Sequence, residues 1–286
     1  MNLIKITKKL VKGILPERPQ NSNKGDFGKV LNIVSSSRYI GAGMLTAIAA
    51  LRAGAGYSIF CSEDDVIKNV AKTSFDLIYK SHNNFNVQTV KEFIEKNNIN
   101  SIVFGCGVTT EDNVLAFTDS LLDYLVATDI TLIIDADGLN CISLLGKSIL
   151  PKNTILTPHP KELSRLLKVD VEEILNNKEY FINKAQEDFK SIVLLKGHNT
   201  LIKDESVLYQ NTTGNSALSK SGSGDVLAGI IGGLVAQKIT PINAVISGCY
   251  LHGLSADIYK KEFSEYSMLA SDQIVYLQKA FKAVLR

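Results

Sequence analysis

Short apolar runs alternate with longer stretches of helical periodicity along most of this chain. Residues 30–34, 57–61, 75–79, 101–104, 131–134 and 154–156 are brief runs rich in Val, Ile, Leu and Phe, and each predicts a buried strand. Between them, 43–52, 87–96, 113–126 and a segment from about Pro160 carry the spacing of helices, and a charged helix is expected over 171–188. A strand buried on both faces is continuously apolar, so this alternation predicts an α/β fold with a mostly parallel central sheet between two helical layers. The pattern changes at 192–195, 200–202 and 207–209, where three strands follow closely, separated by Gly or by Lys-Asp-Glu, and hairpins are expected. Three helices over 226–237, 242–259 and 269–285 complete the chain. Pro241 stands at the start of the second, where its missing N–H has no partner to lose. Residues 16–29 are the most loop-like, and no repeat or linker divides the 286 residues, so one domain over 1–286 is expected.

Composition narrows the class of function. A net charge of +2 gives no electrostatic ground for binding nucleic acid or a membrane surface. Lys5, Lys8, Lys9 and Lys12 are not followed by a long apolar stretch, so no signal peptide is expected, and 226–236 is too short and glycine-broken to span a bilayer. Gly229 and Gly233 instead predict close helix packing. Cys61, Cys106, Cys141 and Cys249 are scattered without a CxxC or zinc spacing, which fits reduced, buried thiols in a cytoplasmic protein.

The sharpest candidate chemistry is Asn215-Ser-Ala-Leu-Ser-Lys-Ser-Gly-Ser-Gly-Asp225, which opens onto a helix expected from Val226. Small residues let backbone approach a ligand, and free N–H groups of a helix's first turn bind anions. Asp225 therefore reads either as a base beside a phosphate site or as a helix N-cap. Asp135-Ala136-Asp137-Gly138 follows a strand, where ligand sites of parallel sheets form, although Asp137 could equally cap a helix. Thr157-Pro158-His159-Pro160-Lys161-Glu162 leads from a strand into a helix without the HExxH spacing of a zinc protease, and His159 is either a satisfied loop histidine or a ligand contact. Gly105-Cys106-Gly107 is a lone GxG, and Gly41-Ala42-Gly43 is a second close-approach turn. Lys196-Gly197 at a strand end could meet a phosphate or be solvated. No P-loop sequence occurs, and Ser35-Ser36-Ser37 has no nucleophile-elbow pattern.

Taken in order, these segments resemble the ADP/ATP-dependent NAD(P)H-hydrate dehydratases, a ribokinase-like family. The resemblance rests on Lys24-Gly25-Asp26-Phe27-Gly28-Lys29-Val30, Leu51-Arg52-Ala53-Gly54-Ala55-Gly56, Gly105-Cys106-Gly107, Asp135-Ala136-Asp137, Thr157-Pro158-His159-Pro160, Lys196-Gly197-His198-Asn199-Thr200, Thr213-Gly214-Asn215, Gly224-Asp225-Val226-Leu227-Ala228-Gly229 and Leu251-His252-Gly253 with Ala256-Asp257. It implies a three-layer ribokinase-like fold and a repair reaction: the S epimer of hydrated NADH or NADPH is phosphorylated on its ring hydroxyl and loses phosphate, a far better leaving group than hydroxide.

By this resemblance Asp225 is the base, and Ala42, Gly107, His159 and Asp225 contact the hydrated dinucleotide. Lys196, Gly197, His198, Asn199, Thr200 and Gly224 contact ADP or ATP. Mg2+ bridges the nucleotide phosphates, with Glu162 as its water-mediated partner. The family further implies a homotetramer, and a separate epimerase acting on the same metabolite, since no epimerase domain is expected before Lys24. The chain departs from the family pattern in Ser221-Gly222 for Gly-Gly, Lys220 for a small residue, Lys161 for Gly, Cys106 for Pro and Ser35-Ser36 for Gly-Gly. A small-alcohol kinase on the same fold and a nonenzymatic adenine-nucleotide sensor are the alternatives.

Overall fold

The computed structural model describes residues 3–286. Its centre is a ten-stranded sheet in the order β1-β10-β9-β8-β7-β6-β5-β2-β3-β4. These strands are β1 (Leu3–Lys5), β2 (Lys29–Ile33), β3 (Tyr57–Ser62), β4 (Ile78–Ser81), β5 (Ser101–Phe104), β6 (Thr131–Ile134), β7 (Thr154–Leu156), β8 (Ile192–Leu195), β9 (Leu201–Lys203) and β10 (Leu208–Gln210). From β8 to β4 every neighbouring pair is parallel. β9 runs antiparallel to both β8 and β10, as the close spacing of the last strands predicts. The mostly parallel α/β fold read from the sequence is therefore present.

Two helical layers cover the sheet. One contains α2 (Ile40–Arg52), α10 (Ser223–Ala236), α11 (Pro241–Glu262) and α12 (Ala270–Leu285). The other contains α4 (Val87–Asn97), α5 (Asp112–Leu125), α6 (Asp137–Leu145), α7 (Pro160–Leu167), α8 (Val171–Asn176) and α9 (Lys178–Phe189), while the short α1 (Lys8–Ile14) and α3 (Asp64–Val70) flank the edges. Side chains alternate along each strand, so Val30, Val103, Ile133 and Leu194 meet the first layer while Leu31, Ile102, Leu132 and Val193 meet the second. α10 lies against α2 with almost no side chain between them. A Cβ at Gly229 would run into the Thr46 carbonyl, and one at Gly233 into the Ala50 carbonyl, so the GxxxG spacing does mark close helix packing.

Several expected boundaries move. The strand expected over 75–79 is β4, three residues later, and Phe75 is almost fully exposed. The single charged helix over 171–188 is two helices broken at Asn177, whose backbone (φ −143°, ψ 58°) ends α8. α10 begins at Ser223, not Val226, which places Asp225 inside its first turn. The sequence pattern predicts none of β1, α1 and α3. No described helix is long and apolar enough to cross a membrane.

Candidate active site

Parallel strands send all their carboxyl ends to one edge of the sheet, and there the loops are joined to one another by backbone hydrogen bonds. The Ser35 N–H donates to the Cys106 carbonyl (2.8 Å), Asp135 N–H to the Phe104 carbonyl (3.1 Å), and Lys196 N–H to the Pro158 carbonyl (2.8 Å). The segments following β2, β5, β6, β7 and β8 thereby converge on the first turn of α10.

At the centre Lys196 Nζ donates to Asp135 Oδ1 at 2.6 Å and lies 3.7 Å from Glu162 Oε2. Burial alone would lower the Lys196 pKa, but the carboxylates of Asp135 and Glu162 outweigh it and the net shift is upward. Lys196 is thus a mostly buried cation fixed by carboxylates rather than a solvated one. Asp225 faces this pair, with carboxylate oxygens of Asp135 and Asp225 and the Cys106 sulfur all within 4.8 Å of one another. Burial, reinforced by the Asp135 charge, raises the Asp225 pKa from 3.8 to about 6, against the lowering influence of Cys106 and Lys196.

Asp225 is not the helix cap. Gly222 holds that position in a left-handed conformation (φ 89°), and no side chain caps α10. Asp137 likewise lies inside α6, where its Oδ2 accepts from the Thr109 N–H at 2.9 Å. His159, in contrast, does cap α7. Its Nδ1 accepts the N–H groups of Lys161 (3.1 Å) and Glu162 (3.2 Å), and Glu162 Oε2 accepts the His159 N–H at 2.7 Å, a reciprocal capping box. With Nδ1 accepting, the neutral ring carries its proton on Nε2. Burial first, and then Lys196, lowers the His159 pKa and keeps it neutral. Burial raises that of Glu162.

A cleft of about 820 Å³ opens from this centre. Its walls include His159, Lys196, Gly197, His198, Asn199, Thr200, Gly224 and Asp225, so most of the expected ligand contacts share one cavity. Ala42 and Gly107 are brought against each other, with the position of a Gly107 Cβ falling 3.0 Å from that of Ala42. Neither lines the cleft. Glu162 lies behind the wall, 6% exposed. As for a cation, the Cys106, Asp135 and Asp225 cluster includes a buried thiol, a soft donor ill suited to Mg2+. The carboxylate oxygens of Asp135, Glu162 and Asp225 suit a magnesium ion held chiefly by a ligand's own phosphates, not one caged by protein.

The far wall is built on α11 and α12. Asp257 on α11 accepts the Gly214 N–H (2.9 Å) and the Asn215 side-chain amide (3.0 Å), holding the 213–215 loop. Gly253 lets that loop lie on the helix, because a Cβ there would meet the Thr213 carbonyl oxygen at 2.5 Å. His252 and Gln273 are buried beneath Ser223. His252, Gly253 and Asp257 fall within the Leu251-His252-Gly253 and Ala256-Asp257 segments, whereas Gln273 on α12 carries no sequence signal.

A family model described as NAD(P)H-hydrate dehydratase matches residues 30–279. The chain belongs to the NAD(P)H-hydrate dehydratase family. It is 33% identical to the ADP-dependent (S)-NAD(P)H-hydrate dehydratase of Neisseria meningitidis, over 87% of this chain and 82% of that one. It is 34% identical to the bifunctional NAD(P)H-hydrate repair enzyme of Coxiella burnetii, of which it spans about half (52%). Among solved structures, the ADP/ATP-dependent NAD(P)H-hydrate dehydratase of Bacillus subtilis co-crystallised with ATP/Mg2+ superposes with a TM-score of 0.87 at 28% identity, over 99% of both chains. A ribokinase-like superfamily protein of Enterococcus faecalis reaches 0.88 at 25% identity, over 99% of this chain and 96% of that one. The fold is ribokinase-like, as expected from the sequence motifs.

Proposed function

We propose that this protein dehydrates the S epimer of hydrated NADH or NADPH at the expense of ADP or ATP. The observation that carries the reading is the placement of Asp225, a half-buried carboxylate in the first turn of α10, on the wall of a nucleotide-sized cleft beside the fixed Lys196 cation. Asp225 takes the proton of the ring hydroxyl as that oxygen attacks the terminal phosphorus of the nucleotide, whose bond to its bridging oxygen breaks. The ring nitrogen then drives out phosphate, which carries the hydroxyl oxygen with it, and loss of a neighbouring ring proton restores the double bond.

Catalysis of such a transfer is positioning and charge stabilisation. The free N–H groups of the α10 first turn face the transferred phosphoryl group, and Lys196 to Thr200 with Gly224 hold the nucleotide. Magnesium neutralises charge on the nucleotide phosphates when bound, and Glu162 and Asp135 would hold its waters. His159, with a neutral Nε2–H, contacts the dinucleotide together with Ala42 and Gly107. The same reading takes 1–286 as a single domain of a homotetrameric enzyme in the reducing cytoplasm, consistent with four buried free thiols, and leaves epimer interconversion to a separate epimerase.

The test is recovery of NADH absorbance from hydrated NADH with magnesium and either ADP or ATP. Regeneration with release of inorganic phosphate is expected. No regeneration with either nucleotide, or accumulation of a stable phosphorylated product, overturns the reading.

A further inference from the structure

We infer that His252 is the positioning residue of the catalytic base, acting through a closed hydrogen-bond circuit that fixes the first turn of α10. This inference rests on the role proposed for Asp225.

Three helices meet beneath that turn. His252 Nε2 lies 2.9 Å from the Ser223 carbonyl oxygen and 3.3 Å from Ser223 Oγ. Ser223 Oγ donates to Gln273 Oε1 at 3.3 Å, and Gln273 Nε2 donates to the His252 carbonyl at 3.3 Å. All three residues are buried, and Gln273 is fully so. Only one arrangement of protons satisfies the circuit. The Ser223 hydroxyl hydrogen is spent on Gln273, so the His252 Nε2 must be the donor toward Ser223, and a carbonyl at 2.9 Å is its acceptor. His252 is therefore a neutral ring protonated on Nε2. Burial holds it in that state by lowering its pKa to about 4.

Ser223 is two residues before Asp225. α10 starts without a side-chain cap, and its opening residues Ser223-Gly224 have weak intrinsic helical preference. Nothing local makes 223–225 the first turn. The N–H of His252 on the Ser223 carbonyl and the Gln273 amide on its hydroxyl clamp that turn from α11 and α12. The clamp thereby sets the direction of the Asp225 carboxylate and of the N–H groups around Gly224. His252 borders the cleft, but its one ring N–H is committed to Ser223, so it offers no hydrogen bond to a reacting atom.

The test compares His252→Leu with His252→Gln, whose amide N–H reaches nearly as far as Nε2, using the full-length protein with ADP and hydrated NADH. For His252→Leu, kcat should drop by about 10- to 100-fold, the cost of a misplaced group. The KM for nucleotide should stay within about threefold, since only a transition-state contact is lost. His252→Gln should recover most of kcat.

Wild-type kcat in His252→Leu, or equal losses of kcat in the Leu and Gln variants, overturns the inference. So does a loss confined to KM. Should His252→Leu fail to fold, Gln273→Leu, which breaks the same circuit from α12, must show the same kcat-selective loss, and an unchanged kcat there overturns it equally. Inactivity of the wild-type protein with both nucleotides would instead overturn the dehydratase reading itself.

Discussion

Replacing Asp225 by Asn should make the protein more stable while nearly abolishing its activity. Burial beside Asp135 raises the Asp225 pKa from 3.8 to about 6. The folded chain therefore binds a proton between these values that the unfolded chain has given up. Under proton linkage, stability is greatest below the unfolded pKa, falls as pH rises through the window between about 4 and 6, and carries the full penalty above it. A shift of roughly 2 units, at about 1.4 kcal/mol each, sets that penalty near 3 kcal/mol.

An Asn side chain has nearly the same shape and no charge to desolvate. Asp225→Asn should thus gain up to about 3 kcal/mol near pH 8, or roughly 5–8 °C in Tm for a chain of this size. Turnover should meanwhile fall by about two to four orders of magnitude if the carboxylate is the general base. Paired thermal melts at about pH 8 and about pH 4 are the assay, and the gain should shrink toward zero at the lower pH. Equal or lower stability of Asp225→Asn at pH 8 would refute the argument that this carboxylate is held against its ordinary protonation.

Two further outcomes follow from the same geometry. Because the base works only when ionised, kcat/KM should fall about tenfold per pH unit below roughly pH 6, and a profile flat down to about pH 5 would exclude Asp225 as that base. Gly253→Ala should displace the Thr213 loop, at a cost of about 1–3 kcal/mol of stability and with weaker ADP binding by calorimetry; unchanged affinity would remove that loop from the nucleotide site.

The parallel strands were legible because each is buried on both faces, so Val30 to Ile33 or Ile102 to Phe104 admit almost no polar residue. The residues that follow them were legible for the same reason, since chemistry collects where such runs stop. β4 was misplaced because it is an edge strand whose faces are only partly covered, and exposed Phe75 mimicked a strand start. β1 pairs with β10 across some two hundred residues, a register that no local pattern records. The start of α10 was missed because Ser223 and Gly224 are poor helix formers held by His252 and Gln273 from other helices. Nothing near Lys196 in the sequence separates it from a solvated lysine, because its partner Asp135, 2.6 Å away, is contributed by a different strand. From sequence His159 reads as either a loop residue or a ligand contact; in the structure it caps α7 and also faces the cleft.

The contact of α2 with α10 has a mechanical consequence. Where Gly229 and Gly233 meet the carbonyls of Thr46 and Ala50, backbone presses on backbone. No intervening side chain can change rotamer to absorb a displacement. Ala42 at one end of α2 and Asp225 at the start of α10 are therefore carried on a single stiff strut. Sliding one relative to the other would have to break the strut. Any rearrangement on ligand binding must therefore come from elements outside this strut, which keeps Ala42 and Asp225 at a fixed separation.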